Sequence, residues 1–456
     1  MTQNRAKQFS RYVSLNILGM LGLSGNILAD TFFVSDRLGA DGLAALNLAI
    51  AVFGFLNGIG MMLGVGGAAR CSICRARNME TEARRTFTLA ATWGIFCGLL
   101  LAGLGFFFSD SLARFLGADP CLLESCSVYL RTVLAFSPFF IINHIFIVFV
   151  RNDGSPRTAM TAMLAGSLSN IFLDWLFMYP LHMGIYGAAL ATGLAPVIGT
   201  AVSSFYMLRN RGRFRLTRFA LCPRLLADMA GLGGFAFINE FSSGVILGVF
   251  NLLVLRHGGT TGVAAYGIVA NLALVTMAVF TGISQGIQPL LSQFLGTGER
   301  PAVSELQHRG ATLAAFLGAA AALSALLFSP RLAGIFNSAG DAALQTMAAR
   351  GIRLYFIGFL FAGINLLTAS LLSVSGCQKA SLCLSSFRGA AGILPLAVLM
   401  AELFGLDGIW LAFPLTEGLS LLFGKFLFRK HLPACRAVPV RRRVRLSLLF
   451  RSQQNL

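Results

Sequence analysis

Apolar residues in this chain come in long runs separated by short polar and glycine-containing segments, not as stripes on otherwise polar helices. Crossing a hydrocarbon core about 30 Å thick takes roughly 20 residues of helix. Runs of that length fall at 13–34, 43–69, 86–108, 126–150, 158–180, 185–208, 227–255, 262–294, 310–329, 347–374, 381–401 and 408–428. The pattern predicts an all-α polytopic membrane protein with twelve transmembrane helices. The first run follows Arg5, Lys7 and Arg11, extends past the usual length of a signal-peptide core and shows no small-x-small cleavage site, so it reads as an uncleaved first span.

The second half of the chain echoes the first. Gly39-Ala-Asp-Gly42-Leu-Ala-Ala45 recurs as Gly259-Thr-Thr-Gly262-Val-Ala-Ala265, an offset of 220. At an offset of 222, Arg131 matches Arg353, Phe139 matches Phe361, Asn143 matches Asn365, Gly154 matches Gly376 and Arg157 matches Lys379. Six spans per half bring both halves in from the same side, so the repeat is parallel, with a pseudo-twofold axis along the membrane normal. The lobes divide as 1–214, with the start of a linker, and 215–456, with a basic tail. Transporters of this symmetry bind substrate between their halves and rock one against the other. Gly39 and Gly259 fit tight turns after spans one and seven.

Composition supports the class: 56% of residues are hydrophobic and only 12% charged. The net charge of +18 raises the question of nucleic acid, but its distribution answers it. Most Lys and Arg fall on the side of the N-terminus, whereas the other side holds only Arg37, Arg114, Arg256, Arg331 and Arg350. That asymmetry is the positive-inside rule and places both termini in the cytoplasm. The linker residues Arg209, Arg211, Arg213, Arg215, Arg218 and Arg224, and the tail run Arg441, Arg442, Arg443 and Arg445, suit anionic lipid headgroups; no nucleic-acid partner is expected. Cys71-Ser-Ile-Cys74 lacks the second pair a zinc site needs and reads as free thiols.

Ionisable residues at membrane depth are costly and each needs a reason. Asp30 lies about four residues from the outer end of span one, Asp174 about six from that end of span five, and Thr192 about seven into span six. Asn170 is one turn deeper than Asp174 and on the same helix face. Two carboxylates, an amide oxygen and a hydroxyl form a candidate coupling site that either binds Na⁺ or holds a proton. The alternative is structural, with Asp30 capping backbone at a kink and Asp174 pairing with an interfacial Arg. The second half offers one comparable acid, Glu240, halfway along span seven, as a cavity group. Asn143, Gln285, Gln288 and Asn365 are further cavity-lining candidates. Arg131 and Arg353 fit interfacial snorkelling, and Arg388 either faces the cavity or pairs with an acid.

No Walker A motif, His-Glu-x-x-His motif or histidine cluster occurs, so neither an ATP-driven pump nor a metalloenzyme is indicated, and no cofactor is expected beyond a coupling ion. Several strings resemble the multidrug and toxic compound extrusion (MATE) family, in its DinF- and MepA-like bacterial branch. They are Leu28-Ala-Asp30-Thr-Phe-Phe-Val34, Arg151-Asn-Asp-Gly154-Ser-Pro156, Asn170-Ile-Phe-Leu-Asp174, Gly184-Ile-Tyr-Gly-Ala-Ala-Leu-Ala-Thr192, Gly282-Ile-Ser-Gln-Gly-Ile-Gln-Pro289 and Gly405-Leu-Asp-Gly-Ile-Trp410. The resemblance implies a non-enzymatic, monomeric antiporter of the bacterial cytoplasmic membrane. It would expel organic, often cationic and amphiphilic, compounds in exchange for Na⁺ or H⁺. It also implies a cation site at Asp30, Asn170, Asp174 and Thr192, and matches Glu240 to a second-lobe acid found in some members. Span ten lacks the acid that completes that second site. The other readings are an exporter or flippase of a lipid-linked or metabolic substrate, and a membrane enzyme.

Overall fold

The computed structural model describes residues 2–120, 122–210, 214, 216–217, 222–337 and 340–431. Arg211, Arg213, Arg215 and Arg218 of the linker and the tail run at 441–445 lie outside the described residues. Inside a bilayer every backbone N–H and C=O must be satisfied within the protein, which favours helix, and the described secondary structure is entirely helical.

The first two crossings form one hydrogen-bonded helix, Thr2–Ala76, interrupted at Gly39 (φ 63°, ψ −149°). The seventh and eighth form its counterpart, Pro223–Thr297, interrupted at Gly259 (φ 64°, ψ −161°). This backbone region is essentially restricted to glycine, which accounts for the paired glycines of the repeat. The third crossing is Glu80–Phe115. The fourth is a pair, Leu123–Ala135 and Ser137–Asn152, bent by 48° where Pro138 withholds a backbone donor. The fifth and sixth are Pro156–Met178 and Gly184–Arg209. The ninth is Arg300–Phe336. The tenth, Ala342–Val374, carries a 3-10 turn at Phe356–Gly358, the repeat position of the bend in the fourth. The eleventh and twelfth occupy Gln378–Lys430 and part at Gly405 (φ 59°). Twelve crossings result, with ends longer than the apolar runs because the helices continue past the hydrocarbon.

The repeat is written in the backbone. Positive φ occurs at Gly39 and Gly259, Asn78 and Gly298, Gly117 and Gly340, Gly154 and Gly376, and Gly184 and Gly405. The pairs are separated by about 220 residues, within a residue or so of the offsets seen in the sequence, so the turns are shared between halves even where the side chains are not.

The halves meet mainly through the first and second crossings packing on the seventh and eighth. A Cβ on Gly66 would lie 1.9 Å from the Met229 carbonyl, and one on Gly233 lies 1.9 Å from that of Met62. Gly282 and Gly286 likewise sit against the backbone of Ile17 and Val13. Small residues let the helices approach to backbone contact. These contacts lie toward the face that carries the N-terminus, where Arg5–Glu299 (2.8 Å) and Arg70–Asp228 (2.6 Å) also bridge the halves. At the opposite face, Arg256–Glu402 and Arg350–Asp407 both stay within the second half. The N-terminal face is thus one at which the halves close on each other through both backbone contact and ion pairs.

Replacing Gly233 with Ala should part the second and seventh crossings at a cost of about 1–3 kcal/mol, read as a lower unfolding midpoint of the purified protein. Gly248→Ala, where nothing lies within 4 Å of the added carbon, is the control; equal midpoints for the two variants would refute the contact.

Candidate functional site

The predicted cluster assembles inside the first half. Asn170 Nδ2 donates to Asp174 Oδ2 at 3.0 Å, one helical turn away, and both residues are buried. Asp174 Oδ1 and Asp30 Oδ1 are buried without a protein donor. The two carboxylates are close enough to act on one another. Thr192 donates its hydroxyl to the Ala188 carbonyl at 2.9 Å, which leaves its oxygen lone pairs to the pocket. Asp174 bonds to an amide, not to an Arg, so the ion-pair alternative does not describe it. Among the described residues no group of three His, Cys, Asp or Glu forms a transition-metal site. Hard oxygen donors with two carboxylates suit Na⁺ or a proton instead.

Tyr129 belongs to the same pocket, lying beside the Thr192 hydroxyl and near both carboxylates. It is fully buried, with its ring edge-on to Phe53. The sequence reading did not consider Tyr129, which lies in an apolar run placed at 126–150. The helix starts at Leu123, which sets Tyr129 about six residues in, at the depth of Asp174.

The second half replaces this pocket with aromatic packing. The repeat counterparts of Asp30, Tyr129 and Thr192 are Phe250, Gly351 and Phe413. Phe250 stacks with Tyr266 at 5.8 Å, Phe413 stacks with Tyr355 at 4.4 Å, and Gly351 packs on Trp410. Among the described residues, the counterpart positions hold no oxygen donors of the first-half kind.

What the second half has instead is a buried charge network in which Arg388 takes the second of its two expected roles, pairing with an acid, Glu417, that the sequence reading missed. Arg388 donates from Nη2 to Glu417 Oε1 at 2.8 Å and from Nε to both carboxylate oxygens at 3.1 and 3.2 Å. Asn365 Nδ2 donates to Glu417 Oε2 at 2.6 Å and to the Glu417 carbonyl at 2.8 Å. Arg388 ends the helix Gln378–Arg388, just before the extended Gly389. A bidentate Arg and an amide thus satisfy the acid completely, joining the tenth, eleventh and twelfth crossings. Glu240 is not the only intramembrane acid of this half, and Asn365 is a buried partner of Glu417, not a cavity-lining group.

The other candidates divide. Glu240 is half-buried where the seventh crossing passes Gly54 of the second, and no ion pair to it occurs among the described residues. Asn143 stays in the first half, its Oδ1 against Gly199. Gln285 and Gln288 are tied across the halves: Gln285 accepts a 2.8 Å hydrogen bond from Arg151, and buried Gln288 points at the Val65 carbonyl at 3.5 Å. Both residues therefore sit in the seam between halves. Arg131 and Arg353 reach the neighbouring third and ninth crossings, at the Phe106 carbonyl and the Ser329 hydroxyl, as snorkelling side chains do. Cys71 and Cys74 are buried free thiols.

A family model described as MatE matches residues 16–176 and 235–398, once in each half. The chain belongs to the MatE family. The multidrug export protein MepA of Staphylococcus saprophyticus is 25% identical over 83% of this MatE chain and 84% of its own length. MepA of Staphylococcus aureus is 25% identical over 87% of each. Among solved structures, a MATE protein in complex with MaL6 superposes with a TM-score of 0.88 at 22% identity, covering 94% of this chain and 97% of that one. A MOP superfamily transporter from Pyrococcus furiosus gives 0.87 at 22% identity over 94% and 96%. The MatE chain is thus an integral membrane protein of the fold read from its hydropathy.

Truncating Arg388 to Ala strands the Glu417 carboxylate in the bundle and should destabilise the protein by about 3–5 kcal/mol. Arg388→Met combined with Glu417→Leu should recover most of that loss in a thermal-unfolding assay. A double variant as unstable as the single would show that the pair does not act as a unit.

Proposed function

We propose that this MatE chain is a secondary active antiporter that exports organic, often cationic and amphiphilic, compounds in exchange for Na⁺ or H⁺. The observation that carries the reading is the pocket of Asp30, Asn170, Asp174, Thr192 and Tyr129. Two buried carboxylates that act on one another are costly to keep charged together, and a bound Na⁺ or proton relieves that cost. Binding and release of that cation therefore changes the charge of the first lobe, which is what coupling requires. The names of the relatives support drugs as the exported class.

With the basic face in the cytoplasm, both termini are cytoplasmic and the closed face is the inner one. The described conformation is then outward-open, ready to release substrate and admit the coupling ion. The lobes 1–214 and 215–456 rock about the seam, and substrate occupies the cleft between them, with Glu240 as an acidic anchor for a cationic group. The protein works as a monomer in the bacterial inner membrane, its basic segments against anionic lipid.

The test is ethidium efflux from inverted vesicles under separately imposed Na⁺ and pH gradients. One gradient should drive efflux, and Asp30→Asn should reduce it at least tenfold at equal membrane abundance. Undiminished efflux by the Asp30→Asn protein would remove the coupling assignment.

A further inference from the structure

Arg151 takes no part in the cation pocket, yet it is fully buried. It ends the fourth crossing at the closed face, within the Arg151–Pro156 motif. A single nitrogen, Nη1, donates to Asn16 Oδ1 of the first crossing and to Gln285 Oε1 of the eighth, both at 2.8 Å. One guanidinium nitrogen thus touches both halves of the molecule. Its Nε and Nη2 have no protein acceptor. The acid nearest in sequence, Asp153, is held by Arg75 at 2.5 Å and by Tyr206 at 3.0 Å. A buried positive charge is therefore matched across the seam by a neutral amide oxygen and not by a carboxylate.

Its place in the closure is specific. Toward the N-terminal rim the half-exposed pair Arg5–Glu299 spans the halves; around Arg151 the first crossing presses on the eighth at Val13–Gly286 and Ile17–Gly282. The glycine contacts give shape without direction, whereas the Arg151 bond needs one register of the eighth crossing. A Glu at 285 would make a buried bidentate ion pair, whose separation exposes two unpaired charges to low dielectric. A Gln gives one charge-assisted bond that parts at lower cost.

We propose that Arg151 is the clasp that positions the two halves against each other at the closed face, and that Gln285, as a neutral acceptor, keeps it releasable in each transport cycle. The inference rests on the alternating-access reading above, and its test separates the two. Spin labels at Lys7→Cys and Arg300→Cys, exposed positions on opposite halves at the closed face, are placed in a chain whose native cysteines are replaced. Their distance distribution is measured in nanodiscs, with ethidium efflux measured in parallel. Gln285→Glu should raise the ratio of short to long distances at least threefold and slow efflux at least fivefold. Gln285→Asn, one methylene too short, should shift the ratio the other way, as should Arg151→Lys. An unchanged or lengthened distribution in Gln285→Glu overturns the clasp. Distances that respond in a protein that never exports ethidium would instead uphold the clasp and remove the exporter reading.

Discussion

Hydrocarbon neither donates nor accepts a hydrogen bond, and it does not solvate charge; that constraint shapes every level of this molecule. It makes each crossing a helix and confines reversals to sites such as Gly39 and Gly259, whose backbone no other residue adopts cheaply. It also means that each charge kept at depth must be answered by the protein itself. The two lobes answer in opposite ways. In the second, Arg388 neutralises Glu417 and Asn365 adds a further donor to its carboxylate, so the lobe answers this charge from within. In the first, Asp30 and Asp174 each keep an oxygen without a protein donor, and no cationic side chain balances them. On the proposed reading, the first lobe takes its counter-charge from outside.

This difference sits on a shared backbone. Five pairs of positive-φ residues recur at the repeat offset, so the turns and the bend of the fourth and tenth crossings descend from one plan. Side chains diverged where the plan offered a pocket. Tyr129 and Thr192 face Gly351 and Phe413 across the repeat, exchanging hydroxyls for aromatic packing. In the reverse direction, the second lobe placed Arg388 where the first has Gly166, a residue close-packed on the Ala195 carbonyl. A cavity with hard oxygen donors and a cavity filled with rings are two uses of one space, and neither helix geometry nor topology had to change to reach them.

The hydrophobic pattern made the crossings and the duplication legible, because both are one-dimensional properties of the chain. The pairing of Asn170 with Asp174 was legible for the same reason: four residues along a helix is a contact wherever the helix lies. Contacts between helices were not. Glu417 passes unnoticed in an apolar run that tolerates a single acid, and its partner Arg388 lies 29 residues away. Gln285, Gln288 and Asn365 share the polarity of cavity residues, but periodicity does not say whether a helix face meets water, its own lobe or the other lobe. Tyr129 was passed over because a lone tyrosine in an apolar run carries no signal of its own; only the packing of its helix brings it beside Thr192.

The seam shows how a molecule of this kind can be both closed and mobile. Water can reach the cleft and its faces, so every contact broken on opening must be replaced by hydration at tolerable cost. Backbone approach at Gly66 and Gly233 supplies many weak dispersion contacts, none of which strands a charge when it parts. The bridge Arg70–Asp228 leaves its acid half-exposed, where an ion pair adds little and rehydrates readily. The deep charged link, Arg151 to Gln285, ends on a neutral oxygen. A seam built of buried ion pairs would hold the halves more firmly in one state and for that reason would fail as a hinge. The strong pair of this chain, Arg388 with Glu417, lies wholly inside a lobe, where rigidity serves the rocking motion instead of opposing it.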